Sequence, residues 1–525
     1  MRMPSARMIC IQVCLSFGLP GATAAVELPT MFSHHAVLQQ GESVPVWGWG
    51  TPGEEVTVSF AGQLKRATVD TKGSWRVELD ALKASAKGRT MEVVEEGGLP
   101  VKVEDVLVGE VWMASGQSNM QWALSSTERA KEDIPRANYP TVRMFLTDLV
   151  TAGSPQRRVG GEWNVATPQN VGKFSAVGYY YALRLQAELG VPVGIIRTAW
   201  GGKPSEAFTS RESLAREPEG RALLQKLDSE MRRFDLARAQ ASYEKKLAAW
   251  QKVWQANKAE KDPKKRKKLP RKPQKPKPPA LSPNRPMSIY NGMIHPWAGY
   301  AMQGAIWYQG ESNTGRAKEY ETIFPLLILD WRRQWKKELP FHFVQLANFR
   351  APSRKPGEAS SWAELQNAQR LALRLPGTGM AVINDIGDAR DIHPRNKKDV
   401  AERLARWALV NEYGKKDVVV SGPLYKGFQV EGEHIRISFE HAEGLKTRDG
   451  KVPGRFEIAG EDRVWHWAQA IIDGESVVVS GREVAKPVAV RYAWASNPEG
   501  ANLVNAAGLP ASLFRTDNWK LSTER

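Results

Sequence analysis

Two short stretches of this 525-residue chain hold residue types able to do nucleophilic chemistry. The first is Val106-Leu107-Val108-Gly109-Glu110-Val111-Trp112-Met113-Ala114-Ser115-Gly116-Gln117-Ser118-Asn119-Met120. Its first half is apolar and β-branched, as in a buried strand, and its second half is small and polar. A strand that stops in such a turn before a helical run puts a side chain at the carboxyl edge of a sheet. Open α/β sheets bind ligands at that edge. Ser118 is the hydroxyl placed there, close to backbone N–H groups able to face a developing negative charge. The second stretch is Asp385-Ile386-Gly387-Asp388-Ala389-Arg390-Asp391-Ile392-His393-Pro394, between an apolar Met380–Ile383 strand and a helix starting near Lys398. A serine nucleophile needs a base within hydrogen-bond reach, a carboxylate to orient that base, and donors for the oxyanion. His393 is the base, and Asp385, Asp388 and Asp391 all lie near enough to orient its ring. The plainer reading makes Ser115, Ser118 and Asn119 a helix cap and the aspartate-rich run a turn.

The other histidines fit less well. His342 falls inside an apolar strand and reads as a core residue, while His34, His35, His434, His441 and His466 lie in β regions. His295 is the second candidate. One histidine among scattered aspartates is a weak metal signal.

The elements around these stretches divide the chain. From Val26 to about Asp105, strands at Val44–Trp49, Glu55–Phe60 and Ser74–Leu79 alternate with turns such as Thr51-Pro52-Gly53, predicting an N-terminal β-sandwich over 26–105. Residues 106–415 alternate strands with helices, predicting a parallel sheet with right-handed crossovers. A helix over Phe174–Leu189 and strands at Val191–Ile196, Gly304–Tyr308, Phe341–Leu346 and Met380–Ile383 make up that pattern. Several of these strands end in polar loops, which should gather at one edge of the sheet. Residues 416–525 turn β-rich again, with strands at Val418–Val420, Ile435–Phe439, Ala470–Ile472, Ser476–Val479 and Val488–Tyr492.

An insertion over 211–280 interrupts the α/β region. It begins as charged amphipathic helix and continues as a Lys/Pro-rich run in which repeated prolines forbid helix. Lys258–Lys277 holds eleven Lys/Arg against Glu260 and Asp262, a net +9 of the chain's +17. The high charge therefore belongs to one segment. Two readings stand for it, a merely solvated loop or an arm that contacts an anionic polymer; no nucleic-acid partner is expected.

Length and composition set the remaining bounds. The chain is too long for one core, and 42% hydrophobic residues with 19 Trp describe a globular protein. Arg2 and Arg7, the apolar Met8–Leu19 run and Ala22-Thr23-Ala24 form a signal-peptide pattern over 1–25, with cleavage after Ala24 or Ala25. Both cysteines, Cys10 and Cys14, fall inside it, so the mature chain is expected to form no disulfide, thiolate nucleophile or cysteine-ligated zinc. A secreted or periplasmic location follows. No later run is long and apolar enough to span a bilayer.

Taken in order, several motifs resemble the sialate O-acetylesterase-like family of SGNH-type serine esterases. They are Val37-Leu38-Gln39, Gly116-Gln117-Ser118-Asn119-Met120, Trp200-Gly201-Gly202, Tyr290-Asn291-Gly292-Met293-Ile294-His295-Pro296, Trp307-Tyr308-Gln309-Gly310-Glu311-Ser312-Asn313, Asp391-Ile392-His393-Pro394 and Arg491-Tyr492-Ala493-Trp494 with Gly508-Leu509-Pro510-Ala511. Each is short, but their order and spacing together are specific. The resemblance covers the mature chain except the insertion. It implies a three-layer SGNH-type hydrolase core carrying the two β-rich regions, with an acetylated carbohydrate as substrate and no cofactor or metal. Carried over by position, Ser118 resembles the nucleophile, His393 the base and Asp391 its partner. The oxyanion donors would be the Ser118 amide, a Gly201 or Gly202 amide, and the side chain of Gln309 or Asn313. One residue separates Asp391 from His393 where many SGNH enzymes have two, so Asp388 and Asp385 stay open as the third member. The lack of a second glycine after Ser118 argues against an α/β-hydrolase elbow. Trp112, Trp122, Trp200 and Trp307 lie near these loops and read either as sugar-stacking or as core residues. The competing function is a non-catalytic glycan-binding protein with a decayed hydrolase core.

Overall fold

The strand that leads into Ser118 belongs to two regions at once, and the fold is built outward from it. The structure is a computed structural model describing residues 26–524. The expected signal peptide, with Cys10 and Cys14, lies outside the described residues. Six strands come first: β1 Val37–Gln39, β2 Val44–Trp49, β3 Glu55–Phe60, β4 Gln63–Thr68, β5 Ser74–Leu79 and β6 Ser85–Glu95. The long β7 Val101–Gly116 follows. Its first part pairs with β6, and β1 lies parallel to its Leu107–Gly109 stretch. The boundary expected after Asp105 falls inside this continuous strand, at a residue with φ +56° where the pairing register with β6 has shifted. Apolar residues from Val26 to Leu424 form one core across it.

From Ser118 onward helices and strands alternate. They are α1 Ser118–Gln121, α2 Ala130–Asp133, β8 Tyr139–Thr147, β9 Gly161–Ala166, α3 Ala176–Leu189 and β10 Val193–Arg197. Then come α4 Arg211–Leu214, α5 Pro218–Arg233, α6 Leu236–Ala259, β11 Gly304–Tyr308, α7 Ala317–Trp335, β12 Phe341–Val344, α8 Ser361–Leu371, β13 Thr378–Ala381 and α9 Lys398–Asn411. The spatial order is β13-β12-β11-β7-β10-β8-β9, and every pair is parallel except β8 with β9. The chain winds from β7 to β8 and β10 on one side, then to β11, β12 and β13 on the other. The end of β7 is therefore the point where the winding changes direction, the usual ligand site of such sheets.

Strand alternation shows that both faces of the sheet are covered. Phe341 and Phe343 contact Phe324, and Phe341 also meets Trp331, so these odd positions of β12 face α7. His342 between them meets Trp112, which packs on Tyr181 of α3. Trp407 of α9 donates to the Met380 carbonyl from 2.9 Å. The second half of β7 is buried at every residue from Val106 to Gly116, as a strand covered on both faces must be.

The C-terminal region has its own core and two four-stranded antiparallel sheets. Val418–Val420, expected as a strand, is irregular. Val418 and Val420 pack against the main core from a loop, and the Val419 carbonyl accepts from Arg406 at 2.9 Å instead of from a ladder partner.

The insertion is docked at its base and free along its length. Leu224 and Leu227 of α5 join Leu214, Ile323 and Leu326 in a small core, whereas α6 buries no residue. The Lys/Pro-rich run that follows is extended and solvent-facing. It returns along α6, held by Trp250 Nε1 donating to Pro270 O at 2.8 Å and by Asn257 bonding both backbone groups of Lys267 at 2.7 and 2.8 Å. Among the described residues, no helix is long and apolar enough to cross a membrane.

Candidate functional site

Three strand ends are laced together around Ser118. Beyond the ladders, Thr198 N–H donates to Ala114 O at 3.0 Å, Trp200 N–H to Gly116 O at 2.9 Å, and Gln117 N–H to Tyr308 O at 2.9 Å. The lacing needs glycine at position 116. Its φ is +129°, and a Cβ there would lie 2.2 Å from the Tyr308 carbonyl oxygen. The chain then turns into α1, whose Met120 carbonyl accepts from Ser175 Oγ at 2.6 Å, the same hydroxyl that caps α3. Ser118 is thus held at the carboxyl edge of the central strand, half-buried.

The loop after β13 brings His393 to this point. His393 Nε2 lies 2.9 Å from Ser118 Oγ. Its ring stacks on Trp122, with centroids 4.8 Å apart and planes 18° from parallel. The other ring nitrogen, Nδ1, is 3.3 Å from Asp391 Oδ1, and the same oxygen accepts the His393 backbone N–H at 2.9 Å. Burial holds the imidazole below its ordinary pKa; Asp391 opposes that shift and the Lys397 ammonium adds to it. A base that stays neutral near pH 7 can accept a hydroxyl proton.

Of the three aspartates open from the sequence, only Asp391 reaches the ring. Asp385 forms a two-point ion pair with Arg403, at 2.6 and 2.8 Å. Asp388 accepts the Arg390 backbone N–H at 2.8 Å in a local turn. The Asp391 side chain is 51% exposed, so its hold on the ring is a solvated one.

The remaining expected donors divide. A Cβ on Gly201 would lie 3.2 Å from Ser118 Cβ, so the Trp200-Gly201-Gly202 loop closes directly on the Ser118 turn. The Gly201 amide, however, donates to Gln121 Oε1 at 2.8 Å. The amides of Ser118 and Gly202 make no hydrogen bond among the described residues. Gln309 is fully buried and directs its amide to Asn313 Oδ1 at 2.7 Å and Lys203 O at 3.2 Å, while its oxygen accepts from Tyr320 at 3.0 Å. Asn313 donates to Glu206 at 3.0 Å and accepts the Ser205 N–H at 3.1 Å. These two carboxamides fasten the β10 and β11 loops together.

Other residues also resolve. His295 bonds the Gln156 carbonyl at 2.8 Å and takes no part beside Ser118. His342 is fully buried, and burial pushes its pKa down to about 3. Trp112 and Trp307 are core residues at 0% exposure, Trp122 covers His393, and Trp200 is half-buried with Lys203 Nζ 6.0 Å from its ring. Sequence reasoning passed over Gln121, Glu311 and Lys397, and read Asn119 only as a cap. Glu311 lies inside a motif it singled out, and Lys397 four residues past His393, so position alone could have drawn attention to both. Among the described residues, no group of three or more His, Cys, Asp or Glu side chains is arranged to hold a metal ion.

Comparison with known proteins gives a consistent answer. A family described as carbohydrate esterase, sialic acid-specific acetylesterase, matches residues 282–408. The sialate O-acetylesterase of Rattus norvegicus is 28% identical, over 91% of this chain and 91% of its own length. That of Homo sapiens is also 28% identical, over 86% of this chain and 84% of its own. A crystal structure of a carbohydrate acetylesterase from Xanthomonas citri superposes with a TM-score of 0.78 at 37% identity, covering 94% of this chain and all of that one. With that identity sustained over the whole length, the chain belongs to the sialate O-acetylesterase-like family of carbohydrate esterases.

Proposed function

We propose that this protein is an exported SGNH-type serine esterase that removes O-acetyl groups from glycans, with Ser118, His393 and Asp391 as its working residues. The observation that carries the proposal is the 2.9 Å contact between His393 Nε2 and Ser118 Oγ at the carboxyl end of β7. Ser118 Oγ attacks the acetyl carbonyl carbon while His393 Nε2 takes its proton. Asp391 keeps the imidazole oriented with Nδ1–H toward itself. The negative charge on the carbonyl oxygen is met by the Ser118 and Gly202 amides, which have no competing partner. As the tetrahedral intermediate collapses, His393 returns the proton to the departing sugar oxygen. Water, deprotonated by His393, then attacks the acetyl-serine; His393 gives that proton to Ser118 Oγ as the acyl bond breaks, and acetate leaves.

A groove of about 620 Å³ reaches Gly202 and is lined also by Pro204, Ser312 and Arg316 and by Leu223 and Lys226 of α5. Its volume lies within the range of ligand sites. It offers the sugar bearing the acetyl group a place on the Gly202 side of the Ser118 turn. The sialate named for the mammalian relatives is one substrate that such a site could accept, and other acetylated glycans are equally open. A non-catalytic glycan-binding protein would have no use for a serine hydroxyl paired with a stacked, neutral imidazole.

The test is hydrolysis of p-nitrophenyl acetate by the parent and by Ser118→Ala. Loss of a nucleophile of this kind costs about 10⁴-fold or more. A folded Ser118→Ala protein that keeps roughly a tenth of the parent kcat removes Ser118 from the mechanism.

A further inference from the structure

Directly beneath the reacting pair lies a buried polar cluster with no part in the steps above. Asn119, next to Ser118, donates from Nδ2 to Glu311 Oε1 at 2.6 Å and to the Ile392 carbonyl at 3.1 Å. Its Oδ1 accepts from Lys397 Nζ at 2.5 Å. Asn119 and Lys397 are each 1% exposed. Ile392 is the residue between Asp391 and His393. One carboxamide therefore ties three separate loops to the nucleophile turn: the β11 loop through Glu311, the base loop through Ile392, and the start of α9 through Lys397.

We infer that Asn119 is a positioning residue that locks the His393 loop onto the Ser118 turn, with Glu311 and Lys397 as its anchors. The inference rests on the reading of Ser118 and His393 given above. Only asparagine fits the place. A carboxamide of this length offers two donors and one acceptor on one carbon, and all three are used. Aspartate would lose both donors and set a second carboxylate against Glu311. Alanine would leave a buried ammonium, a carboxylate and a carbonyl without their partner. The Ser118–His393 contact needs two loops some 275 residues apart in sequence to hold a single hydrogen bond. Small misplacements of such a pair are costly in rate.

Lys397 adds an electrostatic side to the same device. Its ammonium lies 5.6 Å from the Trp122 ring centre, and Trp122 is the ring stacked on His393. The groups facing His393 are Ser118 and Trp122 from the nucleophile turn, Asp391 from its own loop and Lys397 from the start of α9. Lys397 itself faces Glu311 and Asp391. Its positive charge disfavours protonated His393, so it helps keep the base neutral.

The experiment measures kcat and KM for p-nitrophenyl acetate across pH in the parent, Asn119→Ala and Lys397→Met, with folding checked by circular dichroism. Asn119→Ala should lower kcat by about 10- to 100-fold with KM unchanged. Lys397→Met should move the acid limb of kcat/KM to higher pH, because removing the cation raises the His393 pKa. A folded Asn119→Ala enzyme with more than about half the parent kcat, or one altered only in KM, overturns the inference. If Asn119→Ala does not fold, Lys397→Met decides, and an unmoved acid limb overturns it. Failure of the esterase reading would look different, since Ser118→Ala would then keep its activity.

Discussion

Two lysine–tryptophan pairs in this chain have nearly the same geometry and opposite surroundings. Lys397 Nζ lies 5.6 Å from the ring of Trp122, and Lys258 Nζ lies 5.4 Å from that of Trp254. The first pair is under the candidate active site, where Lys397 is 1% exposed. The second is on α6, a helix with no buried residue. An exposed cation–π contact of this kind contributes about 0.5–1 kcal/mol and leaves the lysine an ordinary surface cation. At Lys397, burial depresses the pKa to about 7 despite the opposing charges of Glu311 and Asp391, while burial raises that of Glu311. What a residue pair does is set by the water removed from around it. In the arm Lys258 lies over Trp254 along α6 itself, while Lys272 over Trp250, with the Trp250–Pro270 hydrogen bond, holds the return segment to the helix. At the site the pair lies against the His393 ring.

The sharpest way to test this contrast after Ser118 itself is the Asp391 carboxylate, which belongs to the site yet is half exposed. Asp391→Asn should lower kcat by about 10²-fold, short of the ~10⁴-fold of a buried triad carboxylate, because its 3.3 Å contact is partly solvated. It should also shift the acid limb of kcat/KM to lower pH. His393 is active when neutral, its pKa already lies below 6.5 through burial, and Asp391 is the group holding it up. This shift is opposite in sign to the one expected for Lys397→Met, and steady-state profiles of the two variants side by side check both. Asp388→Asn should stay near the parent rate, since its carboxylate bonds only its own turn. A steep fall in Asp388→Asn with Asp391→Asn unaffected would move the orienting role.

The smallest effects should come from the arm. Replacing Lys261–Lys277 with a short Gly/Ser linker should leave p-nitrophenyl acetate turnover unchanged, because among the described residues nothing in α6 or its return segment through Lys277 is buried. The same variant sharpens the question of a partner. If the arm is a docking element for an anionic polymer, binding of polygalacturonate to the parent should weaken with salt and vanish in the variant. Equal binding by the two proteins removes that role.

Much of this was legible in the residues. The bounds of β2, β3, β5 and β11 follow the sequence reading to the residue, because alternation or an apolar run ends there in a turn residue or a polar loop, and α9 starts where the reading put it, near Lys398. Ser118 and His393 were readable because a hydroxyl after a buried strand and a lone histidine after another have few other uses. What escaped depended on which atoms meet. β8 and β9 follow no clear punctuation and were passed over. Val418–Val420 has strand composition and lacks a ladder partner. Gln309 and Asn313 have the right type and loop for an oxyanion donor, but they spend their amides on each other and on Lys203 and Glu206. Lys397 and Glu311 drew no reading of their own, because a sequence does not show that two loops close over them.

The central claim is that Ser118 forms a covalent acetyl intermediate with His393 as its base. The most direct measurement is peptide mass mapping after reaction with diethyl p-nitrophenyl phosphate, which phosphorylates activated serines. The account predicts one diethylphosphoryl group, on the peptide holding Ser118, with loss of esterase activity in step with labelling and no label in His393→Ala. Full esterase activity after complete treatment, or a stoichiometric label on another serine, would contradict it.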